Sequence, residues 1–476
     1  MQTVKMDYGD GLMEVELPDS AIVVEYGKTY VDPVGIDPHE ATKKALSAPH
    51  GFAPLSELGG PDKKVVIGFP DRVKGGAGPN AHRRVSIPII VEQLISAGTR
   101  LENITLVCCM GLHRKNTLEE WYWYLGKEIV DQFWPDRLVN HDGEAADLLD
   151  LGQDDMGNNV QCNKLFADAD LAIVIGHCAG NPYGGYSGGY KMIVTGISGA
   201  SSISSHHCPK TMHRPDWLGG GVTQHMRKQF DSIGKAMEAG IGKKFFGVDA
   251  VLNQNSEILA VEAGELGQLQ EKCWPVADKR TNIALDMPEP ADVLVMGVPR
   301  NFHYGPGMGT NPILLSLAIG GQLSRCWNAV RQGCVIIAAS VCDGWFNDAW
   351  FPSYEKTYEG LQKYNSIADY LASPDADAVS SDYEYLFSYS NFHSYHPFHA
   401  MSMLSGGAIP GIFASAVYLV GPQKPEFARG MGYKPVATFN EALKDATKFT
   451  GKNPRILCTP RCFTSGTAVN LHLQDQ

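Results

Sequence analysis

The chain has 476 residues, of which 44% are hydrophobic and 19% charged, as expected of a soluble globular protein with two or three domains. Its formal net charge of −12, without a long basic run, argues against a nucleic-acid partner and gives no support for binding to an anionic membrane surface. No apolar stretch long enough to span a bilayer is present, no signal-peptide pattern opens the sequence, and the cysteine count of 11 is odd, so we expect a cytoplasmic protein with reduced thiols.

Apolar runs alternate with helical patterns in the first half of the chain. Three buried strands are predicted, each an apolar run that ends in polar residues or glycine: 63–71, 103–111 and 169–177. Helices are predicted at 85–98 and 117–130, and the second opens on Thr117 and Glu120 at capping-box spacing. This alternation predicts an α/β fold with largely parallel sheets.

The segment 230–285 has a more polar and helical pattern, and strand patterns resume after it. Four further strands are predicted: 291–299, 333–340, 411–421 and 454–460. A helical pattern at 311–323 lies between the first two of them. We therefore expect two α/β domains, residues 1–285 and 286–476, with the active site in the cleft between them.

Polar residues follow the ends of the first three strands. Asp71 ends the first strand, His113 lies just past the second, and His177 ends the third. Ligands of open α/β sheets bind beyond the carboxyl ends of the strands, so these residues are candidates for one site. Imidazole titrates near neutral pH, which suits His113 to general acid–base work, although a loop histidine bonded to backbone is the alternative.

The stretch "GHCAGNPYGGYSGGYK" (176–191) is glycine-rich and ends on a lysine. A phosphate-binding P-loop requires glycine before the lysine and serine or threonine after it. Here Tyr190 precedes Lys191 and Met192 follows it, which argues against a nucleotide triphosphatase. Taken alone, a plain glycine-rich turn with a surface lysine remains open.

Two groups of histidines are candidate metal ligands. His206 and His207 are adjacent and point in different directions, so one could ligate while the other supports it, unless both lie at the surface. The three-residue spacing of His393, His396 and His399 suggests a possible metal cluster, but an intervening proline and the lack of a partnering carboxylate weaken a zinc-hydrolase interpretation.

The order of these motifs resembles that of the nickel-dependent lactate racemase family. The resemblance rests on Asp71, "GLHR" (111–114), "GGYSGGYK" (184–191), "TGISG" (195–199) and His207. It covers the N-terminal half in clear order and the C-terminal half loosely.

The resemblance implies a nickel-pincer nucleotide cofactor, a pyridinium-3,5-bisthiocarboxylic acid mononucleotide that holds Ni²⁺ through two sulfur arms and a ring carbon. His207 stands where the family has its nickel ligand, and Lys191 where a lysine can bond to the cofactor through a thioamide. Other cofactor-binding residues are implied around them: Asp71, Ser187, Gly188 and Gly189. Amides of the glycine turn could hold the cofactor phosphate.

The implied reaction is racemisation or epimerisation of a 2-hydroxy acid by hydride transfer to and from the cofactor. His113 matches one of two family histidines that move the hydroxyl proton. Asn181 stands at the position of the second, and an amide cannot serve as a base. His177 is the nearest replacement, and further candidates are His206, Tyr183 and Tyr186.

The substrate-binding residues depart from the family pattern. Lys74 stands where the family has a carboxylate-binding arginine, and Asn311 and Leu314 where it has a glutamine–lysine pair. Other candidates to bind the substrate are Arg72, Arg114, Arg300 and His303. We therefore expect a retained cofactor site with a changed substrate pocket, hence a 2-hydroxy acid other than lactate.

Two alternatives remain open beside a racemase or epimerase. One is a hydride-transfer enzyme that works in one direction with His113 as its base; the other is a non-catalytic protein that binds the cofactor. The expected partners are a small-molecule substrate and the cofactor-synthesis enzymes.

Overall fold

The computed structural model describes residues 1–74, 76–463 and 469–474. In chain order its strands are β1 (Gln2–Gly9), β2 (Gly11–Leu17), β3 (Ile22–Val23), β4 (Val65–Pro70), β5 (Ile104–Cys109), β6 (Leu138–Asn140), β7 (Leu149–Gln153), β8 (Asn159–Cys162), β9 (Leu171–Cys178), β10 (Gly180–Asn181), β11 (Gly185–Tyr186), β12 (Phe246–Leu252), β13 (Ile258–Glu265), β14 (Asn282–Leu285), β15 (Ala291–Pro299), β16 (Val330–Ala339), β17 (Ala416–Val420), β18 (Lys434–Val436), β19 (Ile456–Thr459) and β20 (Asn470–Leu473).

The helices are α1 (Pro38–Ser47), α2 (Leu55–Leu58), α3 (His82–Ser96), α4 (Leu118–Leu125), α5 (Lys127–Phe133), α6 (Lys164–Asp168), α7 (Tyr190–Gly196), α8 (Ala200–Ser204), α9 (Pro209–Met212), α10 (His225–Ile241), α11 (Leu266–Thr281), α12 (Pro312–Cys326), α13 (Tyr354–Leu361), α14 (Ile367–Leu371), α15 (Pro374–Ser380), α16 (Tyr383–Asn391), α17 (Phe398–Gly407), α18 (Ile409–Phe413), α19 (Pro425–Gly430) and α20 (Phe439–Thr450). Short 3₁₀ helices cover Leu101–Asn103, Pro215–Gly220 and Trp327–Ala329. Within the described ranges, no helix is both long and apolar enough to cross a membrane.

A six-stranded sheet has the order β13-β12-β9-β4-β5-β6, and only its β12–β13 pair is antiparallel. The three strands predicted in the first half are confirmed as β4, β5 and β9. Since β5 and β9 flank β4 on opposite sides, the chain reverses its direction of winding at β4. Ligands bind at such a switch point, and the carboxyl ends of these strands carry Asp71, His113 and His177.

A second, eight-stranded sheet runs β18-β17-β16-β15-β1-β2, with β19 pairing to both β15 and β3. Apart from the β1–β2 hairpin its pairs are parallel, so the predicted α/β fold with largely parallel sheets is confirmed. The division at residues 285 and 286 stays a prediction, but β1, β2 and β3 pair into the second sheet. Their alternating apolar side chains, among them Met6 and Leu17, are buried in its core.

Two stretches differ from their predicted structure. The expected helix at 117–130 is divided into α4 and α5 at Gly126, whose φ of 91° no helix accommodates, although Thr117 and Glu120 do form the predicted capping box. The segment 230–285 contains α10 and α11 as expected, but an antiparallel pair, β12 and β13, lies between them. β12 is buried along its whole length, so it lacks the alternation that marks a half-exposed strand.

The second half of the chain packs over the strand ends of the first. The Tyr389 hydroxyl donates to Gly111 O at 2.7 Å and accepts from Gly143 N at 2.8 Å. The backbone N–H of His396 donates to Leu112 O at 3.1 Å, and its ring lies 2.8 Å from Glu144 Oε1. These contacts hold the segment before α17 over the end of β5, and together the two halves enclose a cavity.

Candidate active site

A cavity of about 450 Å³ lies at the carboxyl ends of β4, β5 and β9 and is closed by α12 and α17. It brings together most of the predicted site residues: Asp71, Lys74, His113, His177, Asn181, Ser187, Gly188, Lys191, His207 and His303. The sequence places these residues on several separate elements, so their shared lining of one cavity is a property of the fold.

His113 and Asp71 form the closest polar pair in the cavity. His113 Nδ1 lies 2.6 Å from Asp71 Oδ2, and the carboxyl is buried. Burial by itself raises the pKa of Asp71, but the neighbouring His113, together with Lys74 and Arg83, brings it down to about 2. Asp71 is therefore a carboxylate at neutral pH, and it fixes the orientation of the imidazole with Nε2 left for another partner.

Lys191 is the second residue of α7 and is half-buried among aromatic rings. Its Nζ donates to Tyr183 O at 2.8 Å and lies 5.6 Å and 5.4 Å from the ring centres of Tyr183 and Phe230. Burial, reinforced by the charges of Lys74 and Arg227, sets the pKa of Lys191 well below its usual value. A lowered pKa increases the fraction of this lysine that is present as the neutral, nucleophilic amine.

His207 lines the cavity, whereas His206 is fully buried behind it. Their two Nδ1 atoms lie 2.6 Å apart, and the His207 ring stacks on Tyr183 at 5.2 Å. One Nδ1 must donate and the other accept, so the two rings fix one another's tautomers. Burial lowers the pKa of both histidines, which keeps them neutral, the form that binds metals.

His177 and Asn181 both line the cavity. Among the described residues, neither side chain is hydrogen-bonded to a carboxylate or to the other. The Asn181 side-chain oxygen accepts from Tyr183 N at 2.9 Å in a local turn. The His177 ring forms no hydrogen bond within the described residues, and burial, with the charge of Lys74 next in importance, lowers its pKa to about 3. His177 is thus a neutral imidazole that faces the cavity.

The glycine turn packs against protein rather than offering its amides to a ligand. Ser187 N donates to Ala179 O at 3.1 Å, and Gly189 N donates to Asp249 Oδ2 at 2.7 Å. Gly188 has a φ of 78°, and a Cβ there would lie 2.5 Å from the Asp249 carboxylate. The expectation that this turn holds a phosphate is therefore not met by the amides of Ser187 and Gly189, and Gly189 lies outside the cavity lining.

Four predicted substrate-binding residues lie outside the cavity lining and have other partners. Arg72 pairs with Glu120 at 2.8 Å, and Arg114 also donates to Glu120 and lies 3.9 Å from the Trp350 ring centre.

Arg300 donates to Asp10 at 2.7 Å and also pairs with Asp343. Asn311 caps α12 by accepting from Ile313 N and Leu314 N. In this structure these side chains stabilise the walls rather than face a ligand.

Tyr304 of the second half also lines the cavity, together with three residues that motif reasoning did not assign to it: Arg325, His399 and Ser402. The His399 ring lies 5.7 Å from that of His113, its Nδ1 lies 2.7 Å from the Tyr354 hydroxyl, and its Nε2 is buried without a hydrogen-bond partner. The only sequence signal for it was the histidine spacing at 393–399.

That histidine spacing does not form a metal cluster. His393 bonds to Lys115 O and His396 to Glu144, while His399 faces the cavity. Across residues 1–74, 76–463 and 469–474, no group of three or more His, Cys, Asp or Glu side chains is arranged to hold a metal.

Comparisons with known proteins give relatives for both the sequence and the fold. Residues 8–217 match the family model described as the lactate racemase N-terminal domain. The lactate racemase of Thermoanaerobacterium thermosaccharolyticum is 24% identical over 370 residues, which cover 77% of this chain and 81% of that protein. The lactate racemase of Lactiplantibacillus plantarum is 26% identical over 228 residues, 48% of this chain and 51% of its own.

Two solved structures share the fold. The lactate racemase apoprotein from T. thermosaccharolyticum superposes with a TM-score of 0.71 at 20% identity, covering 99% of this chain and all of that one. A crystal structure of a Thermotoga maritima protein superposes with a TM-score of 0.59 at 17% identity, covering 93% of this chain. Residues 8–217 thus match a lactate racemase domain, the alignment with a lactate racemase extends over 77% of the chain, and the whole chain shares the fold of the lactate racemase apoprotein.

Proposed function

We propose that this protein is a racemase or epimerase of a 2-hydroxy acid other than lactate, and that it works with a nickel-pincer nucleotide. Both curated relatives are named lactate racemases, which supports racemase activity in general. The observation that carries the finer proposal is that one cavity holds the His113–Asp71 pair, Lys191 and His207. Together they supply a base, an attachment point and a metal ligand.

The residues present fit this cofactor. Lys191 has the depressed pKa of an amine able to bond covalently, and His207 offers a neutral imidazole, a good ligand for nickel. Because the described residues contain no three-residue metal cluster, nickel at His207 requires further donors, which the pincer's sulfur and carbon atoms would supply. When bound, the cofactor provides a reversible acceptor for the hydride of the substrate carbon.

The protein's part in the reaction is to move the hydroxyl proton and hold the substrate. With His113 Nδ1–H donating to Asp71, Nε2 takes the proton of the substrate hydroxyl, and the carboxylate stabilises the imidazolium formed. Lys74 lines the cavity without an ion pair to any described carboxylate, so we assign it to the substrate's 2-carboxylate.

We assign His177 to the proton on the second face of the substrate. It takes the place that Asn181 cannot fill, because the amide is not basic and its oxygen is already bonded. The low pKa of His177 arises from burial and from nearby cations, and a bound carboxylate would offset those cations and make the ring more basic.

One observation favours the one-directional alternative. Of the two histidines assigned to proton transfer, only His113 has a carboxylate partner, so the two faces are not equivalent. A one-directional enzyme would release the ketone, whereas a racemase returns the hydride and yields both stereoisomers. Product analysis separates the two.

The test is to produce the protein together with the cofactor-synthesis enzymes. We expect roughly one nickel per chain, held by a single imidazole, and a mass increase for the pincer nucleotide. Chiral chromatography of a panel of 2-hydroxy acids, lactate included, should then show inversion of an acid other than lactate. His39→Ala, an exposed position on α1, serves as the control for His113→Ala, which should keep nickel and lose turnover. Nickel bound without any inversion would refute the racemase proposal, and absence of nickel and of the mass increase would refute the cofactor.

A further inference from the structure

The cavity follows one face of α12. Ala318, Gly321 and Arg325 recur at helical spacing, and all three line it. A Cβ built on Gly321 meets no atom within 4 Å, so this face of the helix borders open space instead of a packed neighbour. The cavity therefore has room for a ligand group beside the last two turns of α12.

Arg325 stands at the end of this face. Among the residues that the structure describes, its buried Nε has no hydrogen-bond partner and its guanidinium forms no ion pair with a carboxylate. In contrast, Arg72 and Arg300 near the cavity wall are each paired with acidic side chains. A buried guanidinium N–H without an acceptor is unfavourable, so a ligand that offers an acceptor to Arg325 would be stabilised there.

Arg325 lines the same cavity as Lys74, His113 and His303. The open space beside Gly321 adjoins Arg325 on the same face of α12, so a ligand group placed there would reach the guanidinium.

We propose that Arg325 binds a second anionic group of the substrate, so that the substrate is a dicarboxylic 2-hydroxy acid. The assignment of the reacting end rests on the proposed function. Since Lys74 accounts for the 2-carboxylate, a second unpaired cation in the same cavity calls for a second carboxylate. Guanidinium and carboxylate match in a bidentate pair, which selects a dianion over a monoanion of equal length.

The experiment compares glutarate with pentanoate, which have the same number of carbons and differ only in the charge at one end. Their affinities are measured by isothermal titration calorimetry with the full chain, purified from cells that make the cofactor. We expect glutarate to bind at least about tenfold more tightly, as befits a charge-assisted bidentate pair. Arg325→Gln should abolish the preference, and Arg325→Lys should restore part of it.

Two further variants control for folding and charge. Arg331→Gln removes a cation that pairs with Asp292 outside the cavity, and it should keep the preference. Gly321→Leu fills the open space while leaving Arg325 in place; it should weaken glutarate binding without lowering Tm, since leucine favours the helix. Chiral chromatography of 2-hydroxyglutarate and 2-hydroxypentanoate with the loaded enzyme should show the same preference.

Equal affinities for the two acids, or a preference that survives Arg325→Gln, would overturn the inference. If Arg325→Gln instead loses nickel and nucleotide while glutarate binding is unchanged, Arg325 holds the cofactor phosphate and the inference is again overturned. An Arg325-dependent preference in a protein that inverts none of the acids supports the inference and refutes the proposed function, so the two failures are distinguishable.

Discussion

Replacing Asp71 by asparagine removes one charge from the His113–Asp71 pair and changes little else. The asparagine oxygen still accepts from His113 Nδ1, whose present distance to the carboxylate is 2.6 Å, so ring orientation is preserved. What is lost is the negative charge beside the imidazolium that forms when His113 takes the substrate proton. The variant thus tests whether His113 acts as a base supported by Asp71.

The size of the effect follows from the pKa of Asp71. Burial favours the neutral carboxyl, yet His113 and the nearby cations hold the pKa at about 2 against the usual 3.8. That difference corresponds to about 2.4 kcal/mol favouring the charged carboxyl in its present surroundings. If the imidazolium loses a similar stabilisation in the transition state, the rate falls about 60-fold.

The assay is the initial rate of inversion, measured with cofactor-loaded protein of known nickel content. Asp71→Asn should retain nickel and lose rate. Glu144→Gln is a matched control, because Glu144 lies 2.8 Å from the His396 ring but outside the cavity lining. The reasoning fails if Asp71→Asn inverts substrate at the parent rate, or if Glu144→Gln loses as much.

Three further outcomes are expected. His207→Ala should abolish nickel binding in metal analysis, while His213→Ala, outside the cavity, should retain it; equal nickel contents would contradict the ligand assignment. Burial raises the pKa of Asp249 from 3.8 to about 6, so its ionisation costs stability as pH rises between these values. In denaturant titrations, Asp249→Asn should raise the free energy of unfolding at pH 8 by up to about 3 kcal/mol and leave it almost unchanged near pH 4. Burial lowers the pKa of His82 to about 4, so the stability that this histidine contributes above pH 6.5 is lost as pH falls toward that value. Between pH 7.5 and 5, the free energy of unfolding of His82→Gln should therefore fall by about 2 kcal/mol less than that of the parent.

The sequence was sufficient to predict where the residues proposed to transfer protons lie. Apolar runs locate β4, β5 and β9, and parallel pairing brings their carboxyl ends to one edge. Asp71, His113 and His177 therefore had to lie near one another, whatever the surrounding loops do. The capping box at Thr117 was equally predictable, because its two residues lie within one turn.

Pairings between distant residues could not be predicted in this way. The sequence shows no acidic residue next to Arg300 that would pair with it. The fold, however, places Asp10, nearly 300 positions earlier, against its guanidinium. In the glycine turn, the Gly189 N–H similarly donates a hydrogen bond to Asp249 on β12. Motifs show which groups are available for binding, whereas long-range packing decides which of them remain unpaired.

The charges of the cavity support both the proposed acidic substrate and the proposed reactivity of Lys191. Among the described lining residues Asp71 is the only carboxylate, and it is hydrogen-bonded to His113, while Lys74, Lys191 and Arg325 form no ion pair within 4 Å of a described carboxylate. Repulsion among buried cations adds to burial in lowering the pKa of Lys191, which increases the share of the neutral amine, the form that makes covalent bonds. The same excess of positive charge attracts anions, and a bound dianion offsets it close to Lys74 and Arg325. We therefore expect one arrangement of charges to favour attachment of the proposed cofactor at Lys191 and to select acidic substrates beside it.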